Sequence, residues 1–392
     1  MKSGIGEGKA QSDALVEMLR SAVTLELKGQ RAMAGRVYED VVRSLPACAL
    51  DVVIRVARVL RARRRHGQAA HALRHVLKRD PVNQPARIAL GTTLCEGGQV
   101  RKAQLVFRQG LCLEPASLSL LVRLGQVDAL LSMTTEERWI LRALACELDH
   151  LDAHLRLAKI RLPGPGYLAV LATAHRVLNP RTYVEIGVAS GSSLAQVRHP
   201  TLAIGVDPNP SIKRRLSVPA TVYRMKSDEF FDEISLFEVL GGKPFDIGFI
   251  DGLHSFEQTL RDFANLESQS SSRSALFLHD CLPLDQRTGS WPRTTSFWSG
   301  DSWRILPYLL EQRADLRVHL IPCSPTGLVV VTNLDASRGL PSVGFGELHR
   351  YRNLSISEFY RRYVSQMPMI SNDTASHQEF FGRLATAPIH VE

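Results

Sequence analysis

Apolar positions in the first 160 residues recur at helical spacing, with few strand-like runs between them. From residue 168 onward the pattern changes. Short apolar runs rich in Val, Ile and Phe alternate with longer helical stretches. The contrast predicts an all-α region followed by an α/β region. Arg161-Leu-Pro-Gly-Pro-Gly166 separates them, because two prolines and two glycines in six residues cannot continue a helix. The expected organisation is a helical domain over 12–160, an α/β domain over 167–335 and a C-terminal extension over 336–392.

The helical region repeats itself. Pro46, Pro81 and Pro115 recur at nearly equal spacing, and counting back from each exposes a common pattern. The third unit has Leu90-Gly91, Gly98, Ala103, Phe107 and Pro115. The first has Gly29, Ala34, Tyr38 and Pro46. The second has Ala57, Ala69, Leu73 and Pro81, with its turn glycine, Gly67, displaced. Small residues at Ala34, Ala69 and Ala103 let paired helices approach, larger ones at Tyr38, Leu73 and Phe107 fill the gap, and each proline ends a helix. The pattern resembles tetratricopeptide repeats, which implies a protein partner held in a concave groove. A rigid spacer or a self-association surface, and with it a homo-oligomer, fits the same array. Residues 118–160 read as two further helices that cap it or dock it to the next domain.

In the α/β region a helix over Leu168–Leu178 leads into Tyr183-Val-Glu-Ile-Gly-Val-Ala-Ser-Gly-Ser-Ser193. That stretch reads as a buried strand, a glycine turn and a helix start capped by Ser192 or Ser193. Further strands are expected over Thr201–Val206, Ala220–Met225, Phe245–Ile250 and Ser274–Leu278, with a helix over Glu229–Leu240. Leu316–Ile321 and Leu328–Thr332 read as an antiparallel edge hairpin. Ser357–Ser365 reads as a short helix and about the last 20 residues as disordered. Alternation of this kind builds a Rossmann-like doubly wound sheet, whose ligands lie outside the carboxyl ends of the strands.

The titratable residues gather at that edge. Glu185, Asp207, Asp251, His254, His279 and Asp280 all fall at or near strand tips. Gly187 and Gly191 give bare backbone in the turn. Asp207 lies twenty residues beyond Gly187, where an acid meets ribose hydroxyls. The spacing is G-x-x-x-G rather than G-x-G-x-x-G, so the middle glycine that admits a pyrophosphate is missing. This disfavours NAD, and with it a nucleotide-sugar oxidoreductase, and favours a nucleoside without phosphates. Asp251, His279 and Asp280 form a candidate ligand set for Mg²⁺ or Mn²⁺. His254, one helical turn beyond Asp251, is a candidate general base. Cys281–Ser299, with Arg287, Trp291, Arg293, Phe297 and Trp298, reads as a lid over an acceptor.

E-x-G-x-x-x-G with a distal strand-end Asp resembles motif I of class I S-adenosylmethionine-dependent methyltransferases. The resemblance implies that Glu185, Gly187, Gly191, Ser193 and Asp207 hold the cofactor. It places Ser227 and Asp228 beside the adenine, although a cap for the following helix explains them equally well. Ile250-Asp-Gly-Leu-His-Ser-Phe-Glu257, Leu278-His-Asp280, Gly300-Asp-Ser-Trp-Arg304 and Pro325-Thr-Gly-Leu328 are similar to a bacterial group that includes macrolide-sugar O-methyltransferases and cephalosporin hydroxylase-like proteins. That similarity covers residues 165–340. It implies His254 as base and Asp251 and Asp280 as metal acids. The chain departs from the sugar methyltransferases at His279, where they carry a glutamate.

Charge and cysteine usage narrow the partners. Residues 1–160 carry 25 Lys and Arg against 16 Asp and Glu, while the remainder is balanced. Arg55, Arg58, Arg61, Arg63, Arg64 and Arg65 form the densest cluster. They read as solvated helix faces, and the lack of interleaved aromatic platforms disfavours nucleic acid. There is no apolar run long enough to span a membrane, and the N-terminus has no apolar signal core. Six scattered cysteines without a C-x-x-C suit a reducing cytoplasm. The expected function is S-adenosylmethionine-dependent O-methyl transfer to a hydroxyl of a sugar, glycolipid precursor or secondary metabolite. The alternative is a tetratricopeptide scaffold whose methyltransferase domain is catalytically degenerate.

Overall fold

The computed structural model describes residues 3–45, 48–338 and 345–386. The chain divides into two compact units, Met1–Leu148 and Asp149–Glu392.

The first unit is a stack of helix hairpins. These are α1 (Ser3–Leu27) with α2 (Arg31–Ser44), α3 (Leu50–Ala62) with α4 (His66–Arg79), α5 (Gln84–Glu96) with α6 (Val100–Leu113), and α7 (Leu118–Leu130) with α8 (Glu136–Cys146). Ala34 and Tyr38, Ala69 and Leu73, and Ala103 and Phe107 are all buried on the second helices of their pairs. The tightest approach is at Gly91, where an added Cβ would lie 2.3 Å from the Phe107 ring. Glycine in α5 is therefore what admits the aromatic wedge from α6, and this exchange of small against large explains the repeat spacing. Gly125 repeats the device against Ile140, at 2.8 Å. The pair α7–α8 is thus a fourth hairpin. Of the repeat-ending prolines, Pro46 lies outside the described residues.

Where the sequence predicted two helices over 118–160, the structure has three. The third, α9 (Leu151–Arg161), belongs to the second unit. The division falls ahead of the proline–glycine stretch because this segment is tied into the second unit. Asp149 accepts from Ser296 Oγ at 3.0 Å, and Arg161 donates to the Leu284 carbonyl at 3.0 Å.

The second unit is built on one seven-stranded sheet. Helix α10 (Tyr167–Leu178) ends at Asn179, which adopts the left-handed conformation common at helix ends. Then follow β1 (Thr182–Ile186), β2 (Leu202–Val206), β3 (Ala220–Tyr223), α11 (Ser227–Glu233), α12 (Leu236–Val239), β4 (Ile247–Ile250), α13 (Phe256–Glu267), β5 (Ala275–His279), α14 (Ile305–Gln312), β6 (Arg317–Ile321) and β7 (Leu328–Thr332). The spatial order is β3-β2-β1-β4-β5-β7-β6, parallel except for β7, which runs antiparallel to both its neighbours. Strand order reverses between β1 and β4, which opens a crevice at their carboxyl ends. All five residues of β1 and of β5 are buried, as expected for central strands covered on both faces.

Three sequence expectations are corrected here. No α-helix follows the glycine turn, only a one-turn 3-10 segment over Leu194–Gln196, and Ser193 does not cap it. The predicted helix Glu229–Leu240 is split into α11 and α12. The C-terminal region continues as α15 (Phe345–Arg352), α16 (Ile356–Arg362) and α17 (Thr374–Thr386), so much of the stretch expected to be disordered is helical, while residues 387–392 lie outside the described residues. Phe380 and Phe381 of α17 are buried with Val170, Leu171 and Ala174 of α10 and with Tyr183 and Phe277 of the sheet. Helices α10 and α17 thus cover the face beneath β1. Among the described residues, no helix is long and apolar enough to cross a membrane.

Candidate active site

The glycine turn after β1 is stitched shut by short local bonds. Gly187 has φ +95°, and a Cβ there would lie 2.1 Å from the Asp251 carbonyl oxygen. Close approach of the β4 tip, and not only access for a ligand, requires glycine at this position. Gly191, at φ +74°, faces Ile212. Asp207, at the tip of β2, accepts from Ala189 N at 2.8 Å and from Asn209 N at 2.7 Å, so its carboxylate holds the turn from the neighbouring strand.

Glu185 and Ser193 lie behind the turn. Glu185 is fully enclosed, and its oxygens accept from the Tyr183 hydroxyl, at 2.9 Å, and from the Ser193 hydroxyl. Burial pushes its pKa up to about 8, against the lowering effect of those two bonds. Ser193 Oγ is committed to this carboxyl, which explains why it caps no helix. Ser227 and Asp228 open α11 and turn toward α13. Gln258 Nε2 donates to Ser227 Oγ at 3.1 Å and to Asp228 Oδ1 at 2.7 Å.

The second group gathers at the tips of β4 and β5. Asp251, His254 and Asp280 each present a ligand atom, and these atoms lie within 4.8 Å of one another. His254 Nδ1 pairs with Asp280 Oδ2, and its Nε2 lies 4.0 Å from Asp251 Oδ1. Thr326, on the turn before β7, donates its hydroxyl to Asp280 Oδ1. The convergent imidazole is His254, whereas the sequence grouped His279 with the two acids. His279 stands behind them, its Nδ1 at 3.0 Å from Asp251 Oδ1 and its ring beneath Tyr167, with centroids 4.1 Å apart. Among the described residues, His279 Nε2 is buried without a hydrogen-bond partner.

The electrostatics follow from this packing. Burial works against charge on His279, but Asp251 and Asp280 override it and raise its pKa to about 10. Burial likewise opposes charge on His254, and Asp280 and Asp251 again shift it upward. Burial alone would raise Asp280, yet His279 and His254 hold it well below the usual carboxylate range. Two carboxylates and one imidazole at this separation also match the donor set of a divalent ion of the Mg²⁺ or Mn²⁺ class.

The stretch 281–299 is pinned rather than loose. Trp298 Nε1 donates to the Ser290 carbonyl at 2.7 Å, Trp303 Nε1 to the Gly289 carbonyl at 2.8 Å, and Ser299 N to the Thr288 carbonyl at 3.0 Å. Trp298 lies 5.3 Å from the His254 ring and 5.5 Å from Trp291, which is exposed. Sequence reasoning overlooked Tyr167 and Thr326. Tyr167 sits at the edge of the boundary segment, and Thr326 was visible only as part of the Pro-Thr-Gly-Leu motif.

A mostly parallel sheet with this strand order, an antiparallel β7 and a glycine turn after β1 give the second unit a Rossmann-like fold of the methyltransferase type. Residues 184–281 match a family described as a methyltransferase domain. No curated protein matches the chain. Solved structures similar to it include MamA (41–end) of Desulfovibrio magneticus RS-1, 18% identical over 34% of this chain and 76% of that one, with a TM-score of 0.28. PilF of Pseudomonas aeruginosa is 16% identical over 38% and 69%, at 0.29. YrrB, described as a TPR protein with an unusual peptide-binding site, is 18% identical over 36% and 84%, at 0.27. Assignment of the first unit as a tetratricopeptide-like array rests on its own helix pairs and their small-against-large packing.

Proposed function

We propose that the second unit is an S-adenosylmethionine-dependent O-methyltransferase acting on a hydroxyl of a sugar, glycolipid precursor or secondary metabolite. The observation that carries this reading is the convergence of Asp251, His254 and Asp280 beside the glycine turn, at the mouth of the crevice between β1 and β4. The cofactor would supply a methyl group already activated on a sulfonium, so the protein's task is to align the acceptor oxygen and remove its proton. Gly187, Gly191 and Asp207 would line the nucleoside side, with Ser227 and Asp228 beyond. Glu185 and Ser193 would shape the turn from behind.

His254 takes one of two roles. With Nδ1 on Asp280, its Nε2 is the atom that would accept the hydroxyl proton, Asp280 fixing the tautomer. Alternatively Asp251, His254 and Asp280 together would hold a divalent ion, which supplies a lowered pKa to a hydroxyl bound to it. The helical array would bring a protein partner to the enzyme. A scaffold with a silent methyltransferase domain is the second reading: each oxygen of Asp207 already accepts from a backbone N–H, and a ligand must use the remaining lone pairs.

The test is transfer of labelled methyl from the cofactor into fractionated extract of the source organism, with and without EDTA. Label entering an acceptor fraction supports the enzyme, and EDTA then separates the two roles of His254. Binding of S-adenosylhomocysteine with no label in any fraction would favour the scaffold.

A further inference from the structure

Two non-glycine residues of the site hold left-handed backbones, His254 at φ +59° and Asp280 at φ +58°. Their side chains pair with each other. L-residues seldom occupy this region, so their surroundings must hold them there.

One turn reaches both residues. Asp301 N donates to the His254 carbonyl at 3.0 Å, and Asp301 Oδ1 accepts from Phe256 N at 2.9 Å. Asp301 thereby brackets Ser255, gripping the backbone on either side of it. Ser302 Oγ lies 3.4 Å from the Asp280 carbonyl and 3.2 Å from the Ser299 carbonyl, so its single hydrogen is shared between them. Gly300, at φ +62°, lies so close that a Cβ would sit 2.0 Å from the His254 oxygen. Helix α13 already has its own cap, since Ser255 Oγ accepts from Gln258 N at 3.3 Å. The Ser255 cap leaves Phe256 N without a partner, and Asp301 supplies it from 45 residues along the chain.

The turn is anchored in its own right. Arg304 is 5% exposed, lies 3.3 Å from Asp301 Oδ2, and donates to the carbonyls of Leu354, at 2.8 Å, and Tyr351. Trp303 beside it is fully buried. The motif Gly300-Asp-Ser-Trp-Arg304 thus runs from a buried anchor to the backbone of the two paired site residues.

We propose that Gly300–Ser302 is a positioning element that fixes the His254 ring against Asp280, and that Asp301 is the residue through which it acts. This rests on His254 being a reacting or ligating group of the proposed methyltransferase. Asp301→Ala removes the carboxylate grip and keeps the backbone donor, whereas Asp301→Asn retains an oxygen to accept from Phe256 N. In labelled-methyl transfer at saturating cofactor, Asp301→Ala lowers kcat by about 10- to 100-fold, as a small misplacement of a reacting group does. The Kd for S-adenosylhomocysteine stays within about twofold, and Asp301→Asn recovers most of the lost turnover. In the crystal structure of Asp301→Ala, His254 leaves the left-handed region and Nδ1 parts from Asp280. Gly300→Ala, which presses on the same carbonyl, does likewise if Asp301→Ala fails to fold. Turnover within twofold of wild type, or a His254 ring unmoved in the variant, overturns the proposal. Should His254→Ala itself leave turnover intact, the role of His254 falls, and the crystal structure alone decides the positioning.

Discussion

The two halves of the strand edge solve different problems. At the tips of β1 and β2, polar groups are spent on the protein itself. Asp207 holds Ala189 N and Asn209 N, and Glu185 holds Tyr183 and Ser193. At the tips of β4 and β5, Asp251, His254, His279 and Asp280 face one another, two of them on left-handed backbones. The first half is a satisfied frame and the second is a concentration of charge. Satisfied bonds hold a shape, whereas opposed charges in a buried setting shift pKa values and prepare groups for proton transfer or ion binding.

If that division is right, damage to each half has a different signature. The largest effect belongs to the charged half. His254→Ala lowers methyl-transfer turnover by about 10²–10⁴-fold with unchanged S-adenosylhomocysteine affinity, and equal loss of affinity in calorimetry breaks the division. Next comes the support beneath β1. Phe381 is fully buried, and Phe381→Ala costs about 3–5 kcal/mol in denaturant unfolding; a cost below about 1 kcal/mol makes α17 an appendage instead of a part of the frame.

His175 gives the frame a pH signature. It is buried under Tyr183, 4.9 Å between ring centroids, and burial, helped by Arg198, lowers its pKa to about 4. Its unfolded pKa is about 6.5, so the folded state binds fewer protons in between. Stability is then full above about pH 6.5 and falls by about 3 kcal/mol as pH drops toward 4. His175→Phe narrows the difference in Tm between pH 7 and pH 4.5; an unchanged difference removes His175 as its source. The smallest effect sharpens the division most finely. Asp207→Ala weakens S-adenosylhomocysteine binding by about 10- to 100-fold, the worth of a charge-assisted hydrogen bond, and leaves turnover at saturating cofactor near wild type.

The two halves also differ in how far the sequence revealed them. The glycine turn was legible because Gly187, Gly191 and Asp207 lie within one strand–turn–strand unit, where spacing maps directly onto position. What failed there was the helix after the turn. Ser193 looked like a cap, but a buried carboxyl eight residues earlier took its hydroxyl. The charged half was legible as a list of strand-tip residues but not as a geometry. Which histidine joins the acids depends on backbone turns at 254 and 280, and the turn at 254 packs against Gly300 and Asp301, far along the chain. The helical array was readable from Ala34, Tyr38, Leu73 and Phe107, because each repeat buries the same pair of positions. Its fourth hairpin escaped because Gly125 and Ile140 perform the packing without the proline that marked the others. Helix α17 escaped because its phenylalanines pack on partners about 100 to 200 residues earlier, contacts that local pattern does not encode.

The account turns on a nucleoside without phosphates lying along the β1–β2 tips. Titration of the wild-type chain by calorimetry, with S-adenosylhomocysteine in one cell and NADH in another, addresses that directly. Saturable one-to-one heat from S-adenosylhomocysteine and none from NADH is the predicted result. Heat from NADH alone, or from neither, contradicts it.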